Sequence, residues 1–312
     1  MIRIKHLAKT FRNTTGLDDR GELAPGKRAD QLRARMVDGM PMVVALCPRR
    51  RLNGKNASGG RGSPDGNAPP HPVLEGVDMS EARYAVYFAP LEGSGLERVC
   101  AAVLGRCART GRTLAQPALP GVTSARLAEL TAAPRRYGFH GTLKPPFFLA
   151  EGVGEADLFA ATTKLAASRM AFDLPPLRLD DIGSFLALIP SAPCPELEEL
   201  ARACVIELDR FRRPPGPVEL ARHRGKGLTA AQDHLLEWWG YPYVLEEFRF
   251  HMTLTGGAPD ADERERIRAA LSTLFAPLAD HPVPVREISV FRQPGPDEPF
   301  TVLRDFALLS RP

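Results

Sequence analysis

The sequence predicts an α+β fold with two lobes, built from two similar strand–helix–strand–strand modules around a central cleft. Segments 137–144 and 248–255 share one pattern, an aromatic residue followed by His, any residue, Thr and Leu. Both are short, rich in aromatic and β-branched residues and followed by turn formers, which is typical of strands. The same order of elements is predicted after each segment. Such a duplication predicts two lobes related by a pseudo-twofold axis, and we expect each His strand at the centre of its lobe.

The composition is that of a globular protein, with 312 residues, 44% of them hydrophobic and 25% charged. The formal net charge of +4 is too small to indicate nucleic-acid binding, although it favours anionic substrates. No apolar run approaches the ~20 residues of a membrane-spanning helix, and no secretory signal is recognisable. The five cysteines lack the paired spacing of a zinc site. We therefore expect a cytoplasmic monomer without membrane contact, metal or cofactor.

The first 78 residues differ in composition from the rest. Between Asn53 and Pro72 there is no Val, Ile, Leu or Phe, whereas Gly, Pro, Asn and Ser dominate. Such a segment cannot bury enough apolar area to offset the conformational entropy of an ordered chain. We therefore predict a poorly ordered N-terminal extension at 1–52, a flexible linker at 53–78 and a folded domain at 79–312.

Hydrophobic periodicity and helix-capping signals predict the elements of the folded domain. The clearest helix has apolar residues at three- and four-residue spacing between Glu196 and Phe211, and Asp260 with Glu263 forms a capping-box-like helix start. Besides the two His strands, the predicted strands lie at 83–89, 172–179, 184–189, 283–291 and 300–308. The predicted helices lie at 96–110, 127–130, 155–170, 196–211, 218–224, 230–238 and from Asp260 onward.

The two His-x-Thr motifs are the candidate catalytic residues. Side chains alternate between the faces of a strand, so His140 and Thr142 point the same way, as do His251 and Thr253. Two such strands side by side place two imidazoles and two hydroxyls around one cleft, an arrangement suited to phosphoryl chemistry. The alternative is a pair of satisfied histidines inside sheets. The matching flanks and the matching elements that follow favour a paired site.

Other side chains near the motifs are candidates for substrate binding. Lys144 and Thr255 have the parity of their histidines and face the cleft if both strands are regular. Arg249 has the same parity and could hold a second phosphate with two parallel hydrogen bonds. A solvated lysine at a strand end is the alternative for Lys144. Two tyrosines are predicted either to line the pocket or to be half-buried packing residues: Tyr137 and Tyr243.

Segments 135–147 and 240–256 resemble the two-histidine (2H) phosphoesterase superfamily and, within it, the DUF1045 family associated with carbon–phosphorus lyase operons. The resemblance extends from about Arg83 to the C-terminus, with Gly141 standing where the family leads us to expect Ala. It implies a hydrolase in which the two histidines act as a general acid–base pair on a phosphodiester, usually a cyclic one, without a metal. It also implies that the two threonines donate hydrogen bonds to the non-bridging oxygens.

Two N-terminal fragments resemble other proteins of phosphonate metabolism. Residues 1–11 are similar to the opening strand of an ABC-transporter ATPase, and residues 16–46 are similar to the C-terminal tail of a phosphonate-operon amidohydrolase. No Gly-rich phosphate loop follows the first fragment, and the second carries no metal ligands, so neither activity is implied. Together the resemblances imply hydrolysis of a ribose cyclic phosphate during phosphonate catabolism.

Two other functions stay open at this stage. One is an RNA or nucleotide 2′,3′-cyclic phosphodiesterase or ligase-like enzyme, which would want a strongly basic groove with interleaved aromatic residues. The other is a non-catalytic sensor that binds a phosphate ligand in the same cleft. The expected partner is a small phosphodiester rather than nucleic acid. The sequence does not distinguish which histidine is the acid and which is the base.

Overall fold

In the computed structural model the described residues are 34–37, 40–43, 81–258 and 260–310. The chain divides into two units, Met1–Val73 and Leu74–Pro312. In the first unit, strands β1 (Ala34–Val37) and β2 (Met40–Val43) form an antiparallel hairpin. The other residues of the predicted N-terminal extension, and all of the predicted linker, lie outside the described residues.

The second unit mixes helices and antiparallel strands, which confirms the predicted α+β class. Its strands are β3 (Arg83–Phe88), β4 (Gly141–Phe148), β5 (Phe172–Leu174), β6 (Leu177–Ile182), β7 (Phe185–Pro190), β8 (Met252–Thr253), β9 (Val283–Val285), β10 (Glu287–Gln293) and β11 (Thr301–Ala307). Its α-helices are α1 (Gly95–Leu104), α2 (Ser124–Leu130), α3 (Ala132–Tyr137), α4 (Glu155–Ala166), α5 (Pro195–Glu207), α6 (Pro217–Arg224), α7 (Ala230–Trp239) and α8 (Ala261–Phe275).

Glycine and proline set several boundaries that periodicity placed differently. Helix α1 ends at Gly105, which caps it in the left-handed conformation with φ 74°, so the helix does not continue to residue 110. Pro175 and Pro176 separate β5 from β6, where one strand was predicted. The predicted start of α8 is confirmed, because the Asp260 side chain accepts a hydrogen bond from the Glu263 amide at 2.7 Å.

The two lobes are formed by two antiparallel sheets. One has the strand order β11-β10-β3-β4 and the other β6-β7-β8, while β5 and β9 pair separately. Each His strand therefore lies at the edge of its sheet, and the prediction of a central position was wrong. An edge position suits β4 because it contains Pro145 and Pro146, which have no N–H to donate to a neighbouring strand.

The two modules exchange their sheets. The predicted order recurs in the chain as β4-α4-β5-β6 and β8-α8-β9-β10. However, β4 shares its sheet with β10 of the second module, and β8 shares its sheet with β6 of the first. The equivalent short strands β5 and β9 pair antiparallel with each other, as pseudo-twofold symmetry requires. This exchange ties the two halves together and brings both His strands toward the middle of the unit.

Candidate active site

The structure brings the two His-x-Thr motifs together. Cα atoms of β4 lie within 8 Å of Cα atoms of β8. The ring of Phe250, the residue before His251, packs so closely on Gly141, the residue after His140, that an added Cβ would overlap it. Burial is the main cause of the lowered pKa of His140, and a positive charge on the nearby His251 lowers it further, so the two imidazoles lie close to each other. The predicted pairing of the histidines therefore has a geometric basis.

The same backbone contact orients both imidazoles. His140 Nδ1 lies 2.8 Å from the carbonyl oxygen of Gly138, and His251 Nδ1 lies 2.8 Å from that of Arg249. A carbonyl oxygen can only accept, so Nδ1–H must be the donor in each contact. In the neutral ring Nε2 is then the unprotonated nitrogen. Both histidines therefore keep Nε2 for proton exchange with a ligand.

Glycine is required at the residue that holds His140. Gly138 ends helix α3 with φ 75° and ψ 171°, a conformation that is essentially restricted to glycine. A Cβ at this position would also overlap the side chain of Ala108. This sharp turn directs the Gly138 carbonyl toward the His140 ring, two residues later. The turn therefore connects the end of a helix to the orientation of a candidate catalytic group.

Aromatic residues enclose His140 more than His251. The Tyr87 ring stacks on His140 with the ring centroids 3.8 Å apart and an angle of 23° between the planes. The Phe291 ring lies 6.2 Å away on the same side. Burial lowers the pKa of His140 to about 4, although the hydrogen bond to Gly138 opposes the shift. His140 is therefore neutral at pH 7. For His251, the aromatic neighbour is Phe185, at 5.8 Å.

Both threonines lie on the same face as their histidines. Thr142 pairs with Tyr87, whose ring stacks on His140, and Thr253 pairs with Ala187, two residues from Phe185. Directly opposed residues in neighbouring strands share a face of the sheet. Each threonine is half-buried, and within residues 81–258 and 260–310 neither hydroxyl has a hydrogen-bond partner. Both hydroxyls are therefore free to donate to a ligand oxygen.

Lys144 does not face the cleft, so the prediction from parity was wrong. In the pairing of β3 with β4, Thr142 is opposite Tyr87 and Lys144 is opposite Val86, so two steps on β4 match one step on β3. This bulge turns Lys144 to the other face of the sheet. There its Nζ donates to the Val205 carbonyl at 3.1 Å, and the side chain is 2% exposed.

Thr255 was wrongly predicted for the same reason at the equivalent position. The amides of Leu254 and Thr255 both donate to the carbonyl of Leu186, at 2.9 and 3.3 Å, which marks a second bulge. The Thr255 hydroxyl is turned inward and accepts a hydrogen bond from the Leu186 amide at 3.0 Å. In both motifs, then, the residue four places after His is buried and hydrogen-bonds the backbone of a neighbouring element, helix α5 for Lys144 and strand β7 for Thr255.

The other predicted binding residues lie around the rim. Arg249 is exposed, beside His251. Tyr137 lies 6.2 Å from the His140 ring and stacks on Phe300 at 5.2 Å. Tyr243 is 39% exposed and packs edge-on against Tyr241. Burial raises the pKa of Tyr241, and the nearby Tyr243 and Tyr137 hydroxyls raise it further. The two predicted tyrosines therefore belong to one aromatic wall.

Three site residues were not predicted: Tyr87, Gly138 and Phe250. Tyr87 lies in a strand that was predicted, but the sequence did not show that this strand pairs with the first motif. Gly138 could have been found from its position two residues before His140. At that position the backbone carbonyl alone is needed, because it accepts the hydrogen bond from His140 Nδ1–H. The role of Phe250 depends on its contact with Gly141, across two sheets, for which the sequence carries no signal.

The described part of the chain has neither a cluster of metal-ligating side chains nor a membrane-spanning helix. Within it, no group of three or more His, Cys, Asp or Glu side chains is arranged to hold a metal ion. No helix there combines the length and the apolar character needed to span a bilayer.

Comparison with known families supports the assignment made from the motifs. The model of the family described as "Protein of unknown function (DUF1045)" matches residues 142–301, just over half of the chain. The chain belongs to this family. The matched region includes Thr142 of the first motif and all of the second.

Two curated relatives are named ribose 1,5-bisphosphate phosphokinase PhnN. The protein from Janthinobacterium sp. (strain Marseille) is 39% identical over 236 residues, or 75% of this chain and 52% of the relative. That from Laribacter hongkongensis (strain HLHK9) is 36% identical over 222 residues, or 71% and 51%. The chain thus spans about half of their length. Similar solved structures include E. coli LigT with 3′-AMP, at 15% identity and a TM-score of 0.34 over 73% of this chain and 98% of LigT.

We predict that Lys144→Ala affects folding and spares catalysis. The change leaves the Val205 carbonyl without its donor and opens a cavity, so unfolding free energy should fall by about 2–4 kcal/mol. The Asp209 carboxylate, 3.6 Å from Lys144 Nζ, keeps its ion pair with Arg212 at 2.9 Å, which limits the loss. Denaturant unfolding measures the first effect, and kcat and KM of the folded variant measure the second. A tenfold rise in KM at unchanged stability would place Lys144 in contact with substrate.

Proposed function

We propose that this domain hydrolyses a phosphodiester bond without a metal ion, with His140 and His251 as the acid–base pair. The main support is the shared orientation of the two rings. Each ring uses Nδ1–H for a backbone carbonyl and keeps Nε2 for a ligand, and Cα atoms of the two strands that begin directly after the histidines lie within 8 Å of each other. If the two histidines only stabilised the fold, their rings would not need the same orientation. Nor would both need an Nε2 atom without a hydrogen-bond partner among the described residues.

The lowered pKa of His140 favours the role of general base for His140 and the role of general acid for His251. A ring that is neutral at pH 7 can accept a proton, so His140 Nε2 is the proposed base for the attacking water. The water oxygen forms a bond to phosphorus as its proton passes to His140. The bond to the leaving oxygen breaks as His251, in its protonated form, supplies a proton from Nε2. Thr142 and Thr253 would donate hydrogen bonds to the non-bridging oxygens, whose charge grows in the transition state.

The favoured substrate is a ribose cyclic phosphate formed in phosphonate catabolism. The resemblance of the two motifs to proteins of carbon–phosphorus lyase operons supports the pathway, and the ribose bisphosphate in the name of the relatives supports the sugar. That name describes a kinase. A nucleotide-binding loop of the form Gly-x₄-Gly-Lys-Ser/Thr occurs nowhere in the 312 residues; segment 21–28 comes nearest but has Arg28 in the final position. A hydrolytic reaction therefore suits this chain better.

The decisive test is the initial rate on a ribose cyclic phosphate, a nucleoside 2′,3′-cyclic phosphate and an RNA with a 2′,3′-cyclic end, all with chelator present. We expect the ribose compound to react fastest. His140→Ala and His251→Ala should each lower kcat by about 10²–10⁴-fold, and the exposed His281→Ala should not.

A different outcome of this experiment would contradict each part of the proposal. Fastest reaction of the RNA end would favour the RNA-processing alternative. Turnover that survives either cleft variant would exclude the paired mechanism. Binding of the diesters without turnover of any of them would make the protein a sensor.

The pH dependence of kcat/KM should reveal the buried base. Because the pKa of His140 is lowered to about 4, the ring stays neutral as the pH falls through 6.5 and becomes protonated only near pH 4. The acidic limb of the profile should therefore lie near pH 4. Tyr87→Leu removes the stacked ring and lets water reach His140, so the limb should move toward 6.5, whereas Tyr87→Phe should leave it in place. A wild-type limb near 6.5 would contradict the assignment of His140 as the buried base.

A further inference from the structure

A groove of about 380 Å³ lies next to His251, outside the cleft described above. Its walls come from the end of β7, the start of α5 and residues 248–250. Strands β7 and β8 pair Leu188 with Met252, and His251 directly precedes Met252. Ile189, which follows Leu188, lines the groove together with Phe248, Arg249 and Phe250, so the groove adjoins the segment that leads into His251.

Arg249 breaks the symmetry between the two motifs. It stands two residues before His251, as Gly138 stands two residues before His140, and both positions use the backbone carbonyl to hold the ring. The side chain two residues before each histidine is therefore not needed to orient the ring, yet Arg249 carries a guanidinium at that position. That side chain is exposed, lines the groove and has no ion-pair or hydrogen-bond partner among the residues that the structure describes. The extra side chain therefore adds, on the His251 side, a positive charge without an ion-pair partner in the described part of the chain.

The other charges of the groove are largely balanced. Arg178 lines it as well, but its Nη1 lies 2.6 Å from Asp180, and one carboxylate, Glu198, is exposed there. Helix α5 begins at the same groove with Glu196 and Glu198 in its first turn, and these carboxylates offset the positive end of the helix dipole. Arg249 therefore supplies the positive charge that is available to an anion in this groove.

We infer that this groove binds a second anionic group of the substrate, carried by the same small molecule as the scissile phosphodiester. The inference rests on the proposed function. A substrate of this class is a phosphorylated sugar with its cyclic phosphodiester at His140 and His251 and a separate phosphate at Arg249. The planar guanidinium can donate two parallel hydrogen bonds to that phosphate. A phosphate held by Arg249 would also fix the direction in which the substrate binds in the pseudo-symmetric cleft.

Equilibrium binding of two probes to the full chain tests the inference. Ribose 5-phosphate has one phosphate and ribose 1,5-bisphosphate has two, so their affinity ratio, measured by calorimetry, isolates the second site. We expect the bisphosphate to bind about tenfold more tightly to the wild type. Arg249→Gln should bring the ratio close to one while keeping the backbone carbonyl that holds His251. Glu198→Gln should raise the ratio, because it removes a repulsive charge.

The controls separate this inference from the proposed function. Arg266→Gln removes an exposed arginine of α8 that does not line the groove, and the ratio should not change. A wild-type ratio near one, or a ratio that survives Arg249→Gln, would overturn the inference even if diesters are hydrolysed. A ratio that collapses in Arg249→Gln while no diester is hydrolysed would support the anion site and reject the hydrolase.

Discussion

The hydrogen bond from each imidazole Nδ1–H to the carbonyl two residues earlier is the contact on which the site depends. It fixes the tautomer and the orientation of both rings, and it leaves Nε2 of each toward a ligand. The two motifs obtain this contact by different routes. The first uses Gly138 in a conformation restricted to glycine, and the second uses Arg249 in a segment that needs no such residue. The backbone contact is conserved between the halves while the side chains diverge.

The fold supports this contact by exchanging strands between the modules. Since β4 and β8 each lie in a sheet with strands of the other half, the histidines approach each other from two lobes. The bulges in both strands turn Lys144 and Thr255 into the interior, where they bind the backbone of α5 and β7. The two sheets are thereby stabilised immediately behind the cleft. The bulges therefore bury these two polar residues and also help to fix the position of the His strands.

The sequence predicted the fold class, the order of most elements and the shared face of each His-x-Thr pair, because these follow from local periodicity and from an internal repeat. It did not predict the partner of each His strand, since alternation reveals which face a residue occupies but not which strand lies beside it. Alternation placed Lys144 and Thr255 on the wrong face because it assumes a regular strand. A bulge adds one residue to the strand and moves the side chains that follow it to the opposite face. The stack of Tyr87 on His140 depends on that unpredicted pairing.

The proposed mechanism requires one tautomer of both imidazoles, and this tautomer can be observed directly. Nitrogen-15 NMR of the imidazoles, assigned with His140→Gln and His251→Gln, reports which ring nitrogen carries the proton. The structure predicts Nδ1–H and an unprotonated Nε2 for the neutral form of both rings. If either neutral ring carried its proton on Nε2, the backbone contacts would not orient the pair as described, and the acid–base mechanism would lose its geometric basis.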